Sequence, residues 1–136
     1  MNVFIVEDSE IVSDELKAML SEIPGIKLVG HAVDERSAIE QIGATLTDVV
    51  VLDIALRTGS GINVLHVIKK RNPAIKVVML TNYTDACYVS RCIGSGADYF
   101  YDKSLEFMKV GTLLKKLVAS DELEGKQIGS GANAHG

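Results

Sequence analysis

With 136 residues, 47% of them hydrophobic and 24% charged, the chain is sized and composed for one globular domain, which excludes a disordered or membrane-type composition. No apolar run approaches the ~18 residues of a spanning helix, and the N-terminus opens on a strand pattern in place of a signal-peptide pattern, which points to the cytoplasm. With 14 Lys and Arg against 18 Asp and Glu, the net charge is −4, which disfavours direct nucleic-acid binding by this segment.

Val3-Phe4-Ile5-Val6 is a continuous apolar run, as expected of a strand covered on both faces. Ser9 opens a helix with Val12, Leu16, Met19 and Ile23 at helical spacing, stopped by Pro24-Gly25. A second strand is predicted from Ile26 to Val33, and Asp34 is placed to cap a helix bearing Ala38 and Ile42. Val49-Val50-Val51-Leu52 is a third buried strand. A loop through Arg57-Thr58-Gly59-Ser60-Gly61 leads to a helix carrying Ile62, Leu65 and Ile68, which Asn72-Pro73 breaks. Ile75 to Leu80 is a fourth strand, Thr84 to Ile93 a helix ended by Gly94-Ser95-Gly96, and Ala97 to Tyr101 a short fifth strand. The last helix is expected to start at Ser104, with Phe107, Val110, Leu114 and Leu117 on one face. Beyond Ala119 the periodicity fails, so residues 1–119 are expected to form the domain and 120–136 a flexible C-terminal tail. Cys87 and Cys92 fall on different faces of one helix and read as unpaired thiols, and no Cys/His zinc spacing exists.

Five strands alternating with helices predict an α/β fold: a doubly wound parallel sheet with helices on both faces. In such sheets the site lies at the carboxyl ends of the strands. There the first strand delivers Glu7-Asp8, the third Asp53, the fourth Thr81-Asn82, and the fifth Asp102-Lys103. Gathered carboxylates repel one another, and a hard divalent cation relieves them; oxygen-only ligands favour magnesium over zinc. Phosphoryl transfer to a carboxylate uses this set, with Asp53 as nucleophile and a metal, Lys103 and the Thr81 hydroxyl meeting the charge on the transferred oxygens.

Val-Glu-Asp after the first strand, Val-Val-Leu-Asp at the third, Gly-Ser-Gly before the third helix, Leu-Thr at the fourth strand and Gly-Ala-Asp-Tyr-Phe-Tyr-Asp-Lys-Ser beyond it resemble the bacterial response-regulator receiver family of the chemotaxis-regulator kind. The resemblance covers roughly residues 1 to 119. It implies a flavodoxin-like sheet in strand order 2-1-3-4-5 and a phosphoacceptor switch fed by a sensor histidine kinase or phosphotransfer protein. By position it implies Asp53 as acceptor, and Mg2+ on Glu7, Asp8, Asp53 and the Ala55 carbonyl. Thr81 and Lys103 become the hydroxyl and lysine of the transfer, and Thr81 with Phe100 the switch pair. Output to an effector is expected through the face of the fourth helix, fifth strand and fifth helix, where Tyr99 and Tyr101 flank Phe100.

The sequence departs from the family pattern at three positions. Arg57 stands where a proline is common, Ser104 where a cis proline usually follows the lysine, and Asn82 where a small residue follows the threonine. Ser104 is expected to cap the last helix, with Glu106 in its first turn. Two other functions compete with the phosphoacceptor: a degenerate receiver that binds partners without phosphorylation, and an aspartyl-phosphate hydrolase. The hydrolase would want an acid two residues past its nucleophile, where Ala55 stands. In the resemblance, Ala55 and Tyr83 flank the approach of hydrolytic water, and their side chains imply slow loss of the phosphoryl group.

Overall fold

A computed structural model describes the backbone of residues 1–135 and the side chains of residues 1–123. Five strands, β1 (Asn2–Val6), β2 (Lys27–Ala32), β3 (Val49–Leu52), β4 (Lys76–Thr81) and β5 (Tyr99–Asp102), alternate with helices α1 (Glu10–Ser21), α2 (Glu35–Ala44), α3 (Gly61–Arg71), α4 (Ala86–Gly94) and α5 (Phe107–His135). Every strand pair is parallel and the order is β2-β1-β3-β4-β5, as the resemblance implied.

The central strands bury both faces, which is why they read as unbroken apolar runs. Phe4, Val6, Val50, Leu52, Val77 and Met79 face one way, onto a core shared with Ala38, Ile42, Leu65 and Cys92 of α2, α3 and α4. Val3, Ile5, Val51, Val78 and Leu80 face the other way, onto Leu16 and Leu20 of α1 and Val110 and Leu114 of α5. Each such side chain contributes about 1.5–3 kcal/mol by leaving water, so the sheet's centre is the best-anchored part of the molecule. Cys87 is exposed and Cys92 buried, both unpaired.

The helix starts follow their caps. Ser9, Asp34 and Ser60 accept hydrogen bonds from Val12 N, Ser37 N and Ile62 N respectively. Two starts differ from expectation. Helix α4 begins at Ala86, two residues later than Thr84, and Asp85 before it makes no side-chain cap bond. Helix α5 begins at Phe107, so Ser104 is not its cap. The Asp102 carboxylate instead accepts from Ser104 N at 2.8 Å and Leu105 N at 3.1 Å, while Glu106 reaches back to Asp102 N at 3.0 Å. This closed turn uses up the groups that would have started the helix and delays it by one turn. The Lys103–Ser104 peptide is trans.

At the C-terminus, α5 keeps helical backbone to His135, through most of the segment expected as a tail. Among the described residues, its last buried side chain is Val118. Gly136 and the side chains from residue 124 onward lie outside the described residues.

Candidate functional site at the carboxyl edge of the sheet

Strand register builds the site. Val6 pairs with Leu52, so Glu7 and Asp53 leave adjacent strands side by side, with Asp53 N bonded to Val6 O at 3.0 Å. Thr81 pairs with Asp102, and Lys103 N donates to Thr81 O at 2.9 Å, which swings the lysine toward the same edge. This is the point where the strand order reverses direction, between β1 and β3, the place where an open α/β sheet receives its ligand.

The Lys103 ammonium sits 2.5 Å from Asp53 Oδ2 and 2.6 Å from Glu7 Oε1, and all three side chains are nearly buried. Asp53 Oδ1 accepts from Ala55 N at 3.3 Å. Carboxylate oxygens of Glu7, Asp8 and Asp53 lie within 4.8 Å of one another. Three carboxylates thus face one ammonium, and the imbalance is visible in Glu7. Its pKa is pushed up to about 7 by burial, with Lys103 opposing and Asp53 adding to the rise. Burial acts against the Lys103 ammonium too, but its bonds to Asp53 and Glu7 outweigh that and hold its pKa above the usual lysine value.

Glu7 Oε2 is the one buried side-chain polar atom among the described residues without a hydrogen-bond partner. An orphaned carboxylate oxygen inside a cluster of carboxylates is costly unless something else satisfies it. Glu7, Asp8 and Asp53 therefore fit a hard divalent cation, which takes oxygen ligands and relieves the repulsion.

The other predicted residues surround this cluster. Ala55, two residues past Asp53, is half-buried and pairs with Ser60 in an isolated antiparallel bridge. Thr81 is fully buried, and its Oγ1 accepts from Tyr83 N at 3.2 Å, which leaves the hydroxyl proton uncommitted. Phe100 is half-buried on the α2–α3–α4 side of the sheet, whereas Tyr99 and Tyr101 pack on the α1–α5 side. The Gly-Ser-Gly motif has three separate tasks. Gly59 has φ +85°, Ser60 caps α3, and a Cβ on Gly61 would collide with the Asp53 carbonyl oxygen.

Three contacts at the site carry no sequence signal. His31 Nε2 lies 2.9 Å from the Glu7 carbonyl oxygen. Ser104 Oγ donates to Asn82 Oδ1 at 2.9 Å, so two of the departures from the family pattern are bonded to each other. Glu35 binds the loop that follows Asp53. Each joins residues more than 20 positions apart, and neither periodicity nor motif spacing reports such bonds.

Residues 3–116 match the family model described as the response regulator receiver domain. The chain is 30% identical over 123 residues to the DNA-binding transcriptional activator DevR/DosR of Mycobacterium tuberculosis, covering 90% of this chain and 57% of that protein. It is 26% identical over 128 residues to the response regulator UvrY of Escherichia coli, covering 94% and 59%. The chain thus spans less than two thirds of the length of these relatives. Among solved structures, the response regulator domain of Thermotoga maritima CheB superposes with a TM-score of 0.75 at 28% identity, over 88% of this chain and 94% of that one. The CheX-CheY-BeF3-Mg2+ complex from Borrelia burgdorferi gives 0.78 at 26% identity, over 86% and 88%.

Proposed function

Because the chain belongs to the response regulator receiver domain family, we propose that it is a phosphoacceptor switch of a two-component system, taking a phosphoryl group onto Asp53. The observation that carries this reading is the single Lys103 ammonium bridging Asp53 and Glu7 beside Asp8, with Glu7 Oε2 left unsatisfied. The donor is a phosphohistidine on a sensor kinase or phosphotransfer protein. An Asp53 oxygen forms the new P–O bond as the donor P–N bond breaks, and the imidazole leaves with the bonding pair. Lys103 stays beside the oxygens that gain charge, and the Thr81 hydroxyl has its proton available to donate to one of them.

When bound, Mg2+ would be held by Glu7, Asp8, Asp53 and the Ala55 carbonyl and would neutralise charge on the transferred group. The Mg2+ and BeF3 in the name of the Borrelia complex, a close match in fold, support that choice of ion. Ala55 supplies neither the acid a leaving group needs nor a base for an attacking water, which favours a switch over a hydrolase. We assign the receiver unit to residues 1–119 and the output face to α4, β5 and α5. No helix among the described residues is long and apolar enough to cross a membrane, and we place the switch in the cytoplasm. The net charge of −4 supports a division of labour in which this segment makes no direct nucleic-acid contact. Any DNA contact of the kind named for DevR/DosR then falls to another part of a longer chain.

Incubated with Mg2+ and acetyl phosphate, the protein is expected to gain one base-labile phosphoryl group, and chelation is expected to abolish the gain. Labelling of Asp53→Asn to the wild-type extent would place the acceptor elsewhere.

A further inference from the structure

We propose that Glu35, in the first turn of α2, is a positioning residue for the loop that follows Asp53. The inference rests on the phosphoacceptor reading and extends it to a residue outside the cluster. Glu35 Oε1 accepts from Ser60 N at 2.9 Å and from Asn63 Nδ2 at 3.1 Å. Two backbone bonds run alongside, Glu35 N to Thr58 O and Arg57 N to Val33 O, both 3.0 Å. The loop between β3 and α3 is therefore laced to the segment that opens α2 at three points, and the first turn of α3 at a fourth.

That lacing leads directly to the acceptor. Ser60 pairs with Ala55 in the antiparallel bridge, and Ala55 N donates to Asp53 Oδ1 at 3.3 Å. A displacement of Ser60 moves Ala55, and with it both the Asp53 carboxylate and the Ala55 carbonyl. The loop also lies flat on Glu35. A Cβ on Gly59 would stand 2.5 Å from Glu35 Cβ and 2.6 Å from Oε1. Thr58 and Gly59 are exposed, so little hydrophobic packing holds this loop in its place.

An acidic residue in a first turn ordinarily serves its own helix. In α2 that task falls to Asp34, which accepts from Ser37 N at 2.8 Å, and the Glu35 side chain turns away to residues 25 and 28 positions distant. Mg2+ demands near-ideal octahedral geometry, so it registers small displacements of its ligands. The tether is therefore read most directly as Mg2+ affinity in the unphosphorylated protein.

Calorimetric Mg2+ titration of the full chain tests this with Glu35→Ala and Glu35→Gln, each first shown to be folded by circular dichroism. Loss of outer-shell support typically weakens metal binding ~10–100-fold, and one step further out we expect roughly 3–10-fold for Glu35→Ala. Glu35→Gln removes the charge but keeps an oxygen able to accept both bonds, and is expected to bind as wild type does. Asn63→Ala, at an exposed position, removes one of the two bonds with no change of charge and is expected to fall between them. Wild-type affinity in Glu35→Ala would overturn the proposal, and equal weakening by Gln and Ala would trace the effect to charge and overturn it too. If the wild-type chain itself bound no Mg2+, the phosphoacceptor reading would fall first, and this inference with it.

Discussion

At Glu7, burial and charge pull hardest against each other. The unfolded chain ionises this carboxyl near 4.5, whereas the folded protein holds its proton up to about 7. Between those values the native state binds a proton that the unfolded state has lost. The contribution of Glu7 to stability is thus fully present below about pH 4.5, is lost as pH rises through about 7, and is level above. Glu7→Gln removes the penalty of burying the ion. In metal-free buffer at pH 8 the variant is expected to be more stable than wild type by on the order of 2–3 kcal/mol, with the gap closing toward pH 5. Urea unfolding of both proteins across that range checks it; a gap independent of pH would contradict the assignment. In the proposed switch, a second residue, Tyr83, would bear on the lifetime of the signal. The residue is 45% exposed and its ring meets Tyr88 edge-on with centroids 5.3 Å apart, so it is held at the rim beside Thr81 and not free in solvent. The Ala55 side chain has no group to orient a water. Phosphorylated Tyr83→Ala is expected to lose its phosphoryl group severalfold faster than wild type, and an unchanged or slower decay would refute shielding.

Helix α4 is lightly buried and uncapped. Of its nine residues only Cys92 is buried, and its N-terminus has no side-chain cap bond. A helix so held is suited to two arrangements of similar energy. Thr81 ends β4, and Met79, two residues earlier, pairs with Phe100 of β5, so in the proposed switch a pull on the Thr81 hydroxyl would reach the half-buried Phe100 across one strand pair. Saturation with Mg2+ and beryllofluoride is expected to shift backbone resonances across residues 85–116, and to shift α2 less, apart from its first turn at Glu35. Shifts confined to the cation cluster would contradict this relay. The elements themselves were unequally legible. Strands β1 and β3 announce themselves as apolar runs because both faces are covered. The start of α5 was misplaced because a serine ahead of an apolar period reads as a cap, whereas Asp102 and Glu106 close a turn there that a residue-by-residue reading does not see.

Across the whole molecule, the parallel sheet explains why residues at positions 7, 8, 53, 81 and 103 meet. Each follows or ends a strand, and all strands run the same way, so their carboxyl ends share one edge. That much was legible in the sequence, since a polar residue after an apolar run marks the strand's end. The supports around the cluster were not. The Glu35 tether, the Asn82–Ser104 bond and the His31 contact to Glu7 depend on how loops cross in space. The same topology leaves Asp53 bonded to the lysine within the carboxylate cluster, as Glu7 also is, and the proposed role of Asp53 as acceptor is the centre of the account. Borohydride reduction after acetyl phosphate treatment converts an aspartyl phosphate to homoserine, and peptide mass spectrometry then locates it. Homoserine at position 53 alone, in amounts that track Mg2+, is the predicted result; homoserine at another position, or none under conditions that leave the protein folded, would contradict it.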